Sequence, residues 1–300
     1  MSLEGTTVAV TGAGGFVGRH LCRHFLAQGC TVRGLVRDPD RASHLEPGVK
    51  RFECDLPDRI DTTAFDGVEV LIHCAYMSRF VSLTEARRVN EDGSARVLAA
   101  SREAGVKRFV FVSSISAHPQ ARSYYGKSKL AVEGRLDPTR DLIIRPGLVL
   151  GPDGGLFQRL VASLRRSGVL PLFGGGRQPV QTVHIEDLCV AMERAVEQGL
   201  TGCYVVAEPR GLALRELLQL IAQKLGRRAI PVPLPAGPVL ACLRITEALR
   251  IPLPISSENV LGALSLREQP SEDDLKAIGI VLRGAEESLD GLSLDAAKVI

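Results

Sequence analysis

Short apolar runs alternate with stretches of helical periodicity through the first half of the chain. The apolar runs cover residues 6–10, 31–37, 49–55, 68–75, 107–114 and 141–147, and the main helical stretches cover 16–28, 83–104 and 123–136. Strands that are buried on both faces are nearly continuous in apolar residues, as these runs are. The alternation therefore predicts an α/β fold with a doubly wound parallel sheet that is covered by helices.

The pattern changes after about residue 150. Glycine- and proline-rich loops, GPDGG and PLFGGGRQP, precede a helix near 184–198, a strand at 203–208, a helix near 213–225 and the proline-rich stretch IPVPLPAGP. We predict one domain over residues 1–150 and a smaller C-terminal α/β substrate lobe over 151–300. A segment near 178–200 is the candidate to return to the first sheet.

Composition excludes several classes of protein. Of the 300 residues 45% are hydrophobic and 24% are charged, which is typical of a globular protein. The net charge of +3 is too small to indicate a nucleic-acid or membrane partner, and no apolar run reaches the ~18 residues of a membrane span. The seven cysteines form no CxxC pair, which favours buried thiols over disulfides or a metal site. With no signal-like N-terminus, we expect a cytoplasmic, metal-free protein.

Three spaced glycines follow the first predicted strand. In VTGAGGFVGRH, Gly12 permits a tight turn, Gly15 allows the backbone to approach a pyrophosphate, and Gly18 lets the next helix pack on the strand. The amide groups and the positive end of that helix would then face an anion. A strand, this turn and a helix together predict a dinucleotide site, for which a purely structural turn is the alternative.

A tyrosine and a lysine lie four residues apart in SYYGKSKLAVEG. Tyr125 and Lys129 share a helix face at this spacing, and an ammonium group beside a phenol lowers the pKa of the phenol. Tyr125 is therefore a candidate acid or base. The preceding strand ends in hydroxyl groups that could hold a substrate oxygen, namely Ser113, Ser114 and Ser116, although all three could be turn residues.

Together these motifs resemble the extended short-chain dehydrogenase/reductases, the NAD-dependent epimerase/dehydratase group. The glycine run is similar to the TGxxGxxG of that family, and VEVLIHCAY, LIIRPGLVLGP and VHIEDLCVAMERAVE are similar to later family segments. Asn90 lies where the family has its usual asparagine. The resemblance covers roughly residues 6–235.

The resemblance implies a Rossmann domain and assigns residues to it. Ser114 would hold the substrate oxygen, Tyr125 would transfer the proton, and Lys129 would bind the nicotinamide ribose and tune Tyr125. Further cofactor contacts would come from Gly12, Gly15, Phe16, Val17, Gly18, Asp55, Leu56 and Ala75. The family also implies a homodimer through helices 83–104 and 123–136, where Val89, Val97, Leu98 and Leu130 could equally be core residues.

The second strand bears on which dinucleotide binds. An acidic residue at its end would hold a free ribose 2′-hydroxyl, whereas an arginine would accept a 2′-phosphate. The acid of the family would fall near Val36, which is apolar, and Arg37 follows it. We therefore expect NADP, with NAD as the alternative. Asp38 is the counter-argument, although it precedes Pro39 and could serve only to start a turn.

Two departures of this sequence from the family motifs restrict the reactions that we expect it to catalyse. Dehydratases carry Thr-Asp-Glu where this chain has Ser114-Ile115-Ser116, so the extra carboxylates needed for loss of water are absent. Many nucleotide-sugar epimerases carry an R-x-x-N motif, which here reads RPGL. We therefore expect hydride transfer at a ketone or secondary alcohol of a small-molecule substrate. The alternatives are a nucleotide-sugar epimerase and, from another class, a non-catalytic assembly or regulatory subunit.

Overall fold

Fourteen strands occur in the described part of the chain. The computed structural model describes residues 2–80, 82–249, 251, 253, 255–290 and 292. The strands are β1 (Thr7–Thr11), β2 (Thr31–Val36), β3 (Lys50–Asp55), β4 (Arg59–Ile60), β5 (Val70–His73), β6 (Arg108–Val112), β7 (Leu142–Pro146), β8 (Leu148–Leu150), β9 (Val169–Phe173), β10 (Pro179–Val180), β11 (Thr182–His184), β12 (Gly202–Val206), β13 (Leu212–Ala213) and β14 (Ile230–Leu234).

Helices separate most of these strands. They are α1 (Phe16–Ala27), α2 (Leu83–Arg87), α3 (Gly93–Glu103), α4 (Tyr124–Glu133), α5 (Gly155–Ser167), α6 (Ile185–Glu197), α7 (Leu214–Lys224), α8 (Ala236–Ala248), α9 (Ser257–Leu264), α10 (Glu272–Ile278) and α11 (Ala285–Asp290). A π-helical turn, Arg88–Asp92, joins α2 to α3, and short 3₁₀ turns lie at Thr62–Phe65 and Gly174–Gly176. The three main predicted helices all form, and 83–104 is interrupted by the π turn.

Eight strands make one sheet in the order β12-β7-β6-β5-β1-β2-β3-β4. Every pairing in it is parallel except β3 with β4. The chain runs outward from β1 to β3 and then crosses back to β5 on the other side of β1. The doubly wound Rossmann prediction is confirmed, and the crevice at this reversal, between β1 and β5, is where such sheets bind dinucleotides.

The sheet is buried on both faces, which explains its continuous apolar strands. On one face α1, α6 and α10 cover Val8, Val10 and Ile72. The opposite face packs beneath Phe65, Val97 and Val132, which the 3₁₀ turn, α3 and α4 contribute. The core is therefore assembled from residues of both halves of the chain.

Part of the second half belongs to this sheet. Strand β12 pairs with β7, and α6 packs against α1 in the same apolar core. The predicted returning segment near 178–200 contains α6 but ends before β12. The division at residue 150 stays a prediction, and residues 291 and 293–300 of the second predicted domain lie outside the described residues.

The proline-rich stretch forms regular structure that its composition concealed. Ile230–Leu234 is strand β14, whose one partner among the described strands is β9, and α8 begins at Ala236. Pro231 and Pro233 are two residues apart, so both direct their missing N–H positions to the same side of the strand. An edge strand tolerates this, because that side needs no hydrogen-bonded neighbour.

Candidate functional site

The glycine turn requires glycine at its two ends. Gly12 has a φ of +65°, and a Cβ there would lie 2.8 Å from the Cα of Ala75. A Cβ at Gly18 would lie 2.3 Å from the carbonyl oxygen of Gly12. Gly15 donates its N–H to that same carbonyl over 2.9 Å and caps α1 without a side chain. The backbone of β1, the turn and α1 therefore pack together without side chains between them.

The turn lies at the reversal of strand order, beside the end of β5. Ala75 donates its N–H to the Thr11 hydroxyl over 3.2 Å, so the ends of β1 and β5 are tied together. Phe16 begins α1 and packs on the backbone at Gly154 and Gly155, while Val17 packs on the sheet core. The predicted cofactor residues Gly12, Gly15 and Ala75 are thus adjacent, and the glycine cradle fits a dinucleotide phosphate.

The residues expected to contact the adenosine half of the dinucleotide follow strands β2 and β3. Arg37 follows β2 and is exposed. The Asp38 carboxylate accepts the N–H groups of Asp40 and Arg41 at 3.1 and 3.3 Å and pairs with the Arg41 guanidinium. Asp38 therefore caps its own turn.

Two further predicted contacts follow β3. The Asp55 carboxylate lies 2.9 Å from Nη2 of Arg59, and its carbonyl accepts the Asp58 N–H in a turn. Leu56 is half-buried and packs against Gly93: a Cβ added to Gly93 would lie 2.9 Å from the Cβ of Leu56. Asp55 therefore starts a turn and keeps a partly exposed carboxylate, and its contact with the cofactor stays a prediction.

Helix α4 brings Tyr125 to the end of β6. Ser123 caps the helix by accepting the Gly126 N–H. Gly126 lies so close to the loop after β6 that a Cβ there would be 2.3 Å from the carbonyl oxygen of Ser116. Tyr125 is 39% exposed, while neighbouring Tyr124 is buried and packs edge-to-face on Phe80. Tyr125 is thus the solvent-accessible tyrosine of the two.

The serines after β6 differ in their hydrogen-bond partners. Ser113 donates to the buried Glu133 carboxylate, which also pairs with Arg145, so Ser113 is part of the core. The Ser114 hydroxyl accepts the Ser116 N–H over 3.1 Å, and its interaction with the Tyr125 phenol acts to lower the pKa of that phenol. Ser114 is thus the serine that the fold joins to Tyr125.

Lys129 follows Tyr125 by one turn of α4 and is 5% exposed. Its Nζ donates to the carbonyl of Val112 over 2.6 Å, and lies 4.9 Å from the ring centre of Tyr76 and 4.7 Å from that of Phe111. Burial lowers the pKa of Lys129 to about 8, against a smaller raising effect from Cys74 and Glu133. The ammonium group is therefore held by a carbonyl and two aromatic rings.

The expected effect of Lys129 on the Tyr125 pKa is wrong for this structure. Desolvation of the phenol raises the pKa of Tyr125, and the hydrogen bond with Ser114 opposes that rise. Sequence spacing placed both residues on one face, but it did not show that the ammonium group bonds to the Val112 carbonyl. Tyr125 is therefore protonated at neutral pH, which suits it to donate a proton.

A buried histidine network, which the sequence did not indicate, joins the turn to the π helix. His73 contacts the Thr11 hydroxyl at 2.7 Å through Nδ1 and the Ser94 hydroxyl at 2.9 Å through Nε2. Ser94 donates to the carbonyl of Asn90, and the Asn90 side chain pairs with the backbone of Met77. Burial lowers the pKa of His73 to about 3, so the imidazole is neutral. The only hint in the sequence is a histidine within the apolar run 68–75, which does not by itself reveal these partners.

Several other expectations have clear outcomes. The candidate dimer residue Val97 is fully buried, whereas Val89, Leu98 and Leu130 are half-buried.

All seven cysteines are described and all are free thiols; Cys203 and Cys242 are exposed, which corrects the expectation of burial for these two. Among the described residues no cluster of histidine, cysteine or carboxylate groups could hold a metal ion. Nor does any described helix have the length and apolar character to cross a bilayer.

Comparison with known proteins places the chain in a family. Residues 8–207 match the NAD dependent epimerase/dehydratase family, and the chain belongs to it. A ceramide reductase of Caulobacter vibrioides is 34% identical over 253 residues, covering 80% of this chain and 77% of that protein. The chain is an NAD(P)-dependent enzyme of the reductase, dehydrogenase or epimerase type.

Two further likenesses show the range of the family. A 4-hydroxy-2-methyl-3-oxo-4-farnesyl-3,4-dihydroquinoline-1-oxide ketoreductase of Stigmatella aurantiaca is 27% identical over 265 residues, covering 80% of this chain and 79% of that protein. The solved structure of MoeE5 in complex with UDP-glucose and NAD has a TM-score of 0.75 at 22% identity, covering 95% of this chain and 96% of that chain. The latter establishes a shared fold.

Proposed function

We propose that the protein interconverts a ketone and a secondary alcohol, with Tyr125 as proton donor or acceptor, and works mainly as a reductase. The observation that carries this is the placement of Ser114, Tyr125 and Lys129 at the end of β6, two strands from the glycine turn that follows β1. Ligands of doubly wound sheets bind at these carboxyl ends of the strands.

Each side chain has a separate task in this proposal. Tyr125 donates its phenolic proton to the carbonyl oxygen, and its raised pKa keeps that proton available at neutral pH. Ser114 holds the same oxygen through its hydroxyl group, in the manner of an oxyanion donor. Lys129 binds the ribose of the nicotinamide nucleotide. The bound nicotinamide supplies the hydride.

We propose an apolar ketone as the substrate. Two relatives are named for reduction of ceramide and of a farnesylated quinoline oxide, both of which carry long hydrocarbon groups. The R-x-x-N asparagine of nucleotide-sugar epimerases is absent here. Epimerisation, which shares the first half-reaction, is the second candidate because MoeE5 has this fold and binds UDP-glucose. A homodimer and a cytoplasmic location complete the proposal.

We propose NADPH as the preferred reductant, through Arg37. Arg37 is exposed at the end of β2, and Asp38 is occupied in its own turn. A guanidinium group there would pair with a 2′-phosphate. Calorimetric titration should show that Arg37→Ala weakens NADPH binding about tenfold and leaves NADH binding unchanged. Tighter binding of NADH than NADPH to the unaltered protein would contradict the preference.

Tyr125→Phe tests the reaction itself. We expect turnover of a long-chain 3-oxoester with NADPH to fall by about a hundredfold or more, because the proton donor is removed. NADPH affinity should be unchanged. Tyr124→Phe is the matched control on the same helix, and it should keep its activity because Tyr124 is buried and packs on Phe80. Equal turnover by Tyr125→Phe and the unaltered protein would refute the mechanism and favour a non-catalytic role.

A further inference from the structure

The C-terminal half exposes apolar side chains in one stretch of chain. Helix α8 directs Leu243 inward against Phe173 and Val260, while Ile245 and Leu249 are 61% and 66% exposed. The following residues Ile251 and Leu253 are 48% and 47% exposed. These four exposed residues, Ile245, Leu249, Ile251 and Leu253, form what we call the outer apolar surface.

The exposed apolar residues of α8 lie on one face of the helix. Two alanines, Ala241 and Ala248, share that face with Ile245 and Leu249, because these residues are separated by about one or two helical turns. A helix that is apolar on two faces is normally buried on both. Here only the inner face is covered by the described residues. Contiguous exposed apolar surface of this kind marks an interaction site.

The chain segment that contains the outer apolar surface has an excess of positive charge, which favours an anionic partner. Segment 226–255 contains four arginines and one glutamate, a net charge of +3, which equals the net charge of the whole 300-residue chain. Arg227, Arg228 and Arg244 are exposed and form no ion pair within the described residues. Glu247 is itself exposed, and its carboxylate accepts from the N–H and hydroxyl of Ser257 at 2.6 and 2.7 Å.

The outer apolar surface is connected to the catalytic helix. Glu247 of α8 binds Ser257 of α9, and the next residue, Glu258, accepts the N–H of Tyr124 on α4 over 2.5 Å. Gly262 of α9 lies beside Ser123, the cap of the same helix. Helices α8, α9 and α4 therefore form one continuous layer that ends at Tyr125.

We propose that the outer apolar surface docks the enzyme on the face of an anionic lipid bilayer. Apolar side chains enter the headgroup region while the arginines of segment 226–255, Arg244 on α8 among them, pair with lipid phosphates. A second copy of this chain fits less well, because two equally basic faces would repel each other. The expectation of no membrane partner rested on the net charge of the whole chain, whereas the positive charge is concentrated in this segment.

Vesicle flotation tests the docking. The full chain should float with phosphatidylcholine vesicles that contain phosphatidylglycerol, and less with phosphatidylcholine alone or in high salt. The double variant Ile245→Glu/Leu249→Glu should lose at least about tenfold in partitioning, because two apolar contacts are replaced by charges that the lipid repels. Arg244→Glu should weaken binding to the anionic vesicles only.

Matched variants separate docking from misfolding and from catalysis. Val281→Glu alters a residue that is 94% exposed outside the outer apolar surface, and it should float like the unaltered protein. The double variant should keep its circular dichroism spectrum and its NADPH affinity. Tyr125→Phe should float normally, so failure of the proposed reaction would not imitate failure of docking.

Three results would overturn the proposal. The first is no flotation of the unaltered protein with anionic vesicles. The second is equal flotation of the double variant. The third is light scattering that shows a dimer which Ile245→Glu/Leu249→Glu converts to monomers, because the outer apolar surface would then be an interface between copies.

Discussion

The main sheet and the α8 region differ in how closely their apolar residues and glycines are packed. In the sheet, Val8 and Val10 are fully buried, and a Cβ at Gly18 would lie 2.3 Å from backbone. On α8, Ile245 and Leu249 are mostly exposed, and a Cβ at Gly237 would meet no atom within 4 Å. The sheet is enclosed by its own helices, whereas α8 has one packed face.

This difference separates two kinds of site. Close packing around β1, β5 and β6 holds Gly12, His73 and Ser114 in fixed relative positions, which catalysis and cofactor binding require. A surface that docks on lipid needs exposed apolar area and positive charge, with no such close fit. Substitutions should therefore be costly in the first region and mild in the second.

The largest contrast should come from glycine replacement. We expect Gly18→Ala to destabilise the protein by about 3 kcal/mol, because the new Cβ collides with the Gly12 carbonyl. NADPH binding should weaken with it, since the turn must shift. Gly237→Ala, also in a helix, should change stability by less than about 1 kcal/mol. Thermal unfolding and calorimetry measure both, and equal effects would remove the contrast.

Next in size is the histidine network. His73→Phe should cost about 2 kcal/mol at neutral pH, because the Thr11 and Ser94 hydroxyls lose a buried partner. The folded pKa is lowered to about 3 from 6.5, so the neutral imidazole is favoured in the folded state. The unaltered protein should lose stability as the pH falls from 6.5 towards 3, and His73→Phe should flatten this dependence.

Ser94→Ala is the control for the acid effect. It removes the hydroxyl partner but keeps the titrating imidazole, so stability should fall at neutral pH while the slope below 6.5 remains. Denaturant unfolding at several pH values measures both variants. A slope that His73→Phe leaves unchanged would show that other groups cause the acid dependence.

The smallest expected effect is a gain in stability. Lys129→Met should stabilise the fold by about 1 kcal/mol at neutral pH, because relief of the buried charge exceeds the loss of the Val112 hydrogen bond. The gain should shrink as the pH rises above about 8 towards 10.5, where the folded and then the unfolded lysine deprotonate. Turnover should fall.

Lys224→Met is the surface counterpart in α7. Lys224 pairs with Asp290 near the surface, where such pairs contribute little. Its removal should change the unfolding temperature only slightly at any pH. A loss of stability in Lys129→Met would mean that the carbonyl and ring contacts outweigh the cost of burying the ammonium group.

Local sequence patterns predicted most of the sheet and part of the site. Each predicted strand of the first half forms within two residues of its expected ends, because apolar continuity reports burial on both faces. The motif around Gly12 and the spacing of Tyr125 and Lys129 identified the two candidate centres. Strand β14 was missed, because Pro231 and Pro233 hide an edge strand whose neighbour β9 is distant in sequence.

The sequence by itself determined the alternation of strands and helices, the glycine turn and the candidate proton donor, since these depend on neighbouring residues. The tertiary structure alone decided that Ser113 hydrogen-bonds to Glu133 whereas Ser114 interacts with Tyr125. It also decided that Lys129 bonds to the Val112 carbonyl and that α8 keeps an open face. Such contacts join residues far apart in the chain, and burial, which sets the pKa values, depends on everything packed around a group.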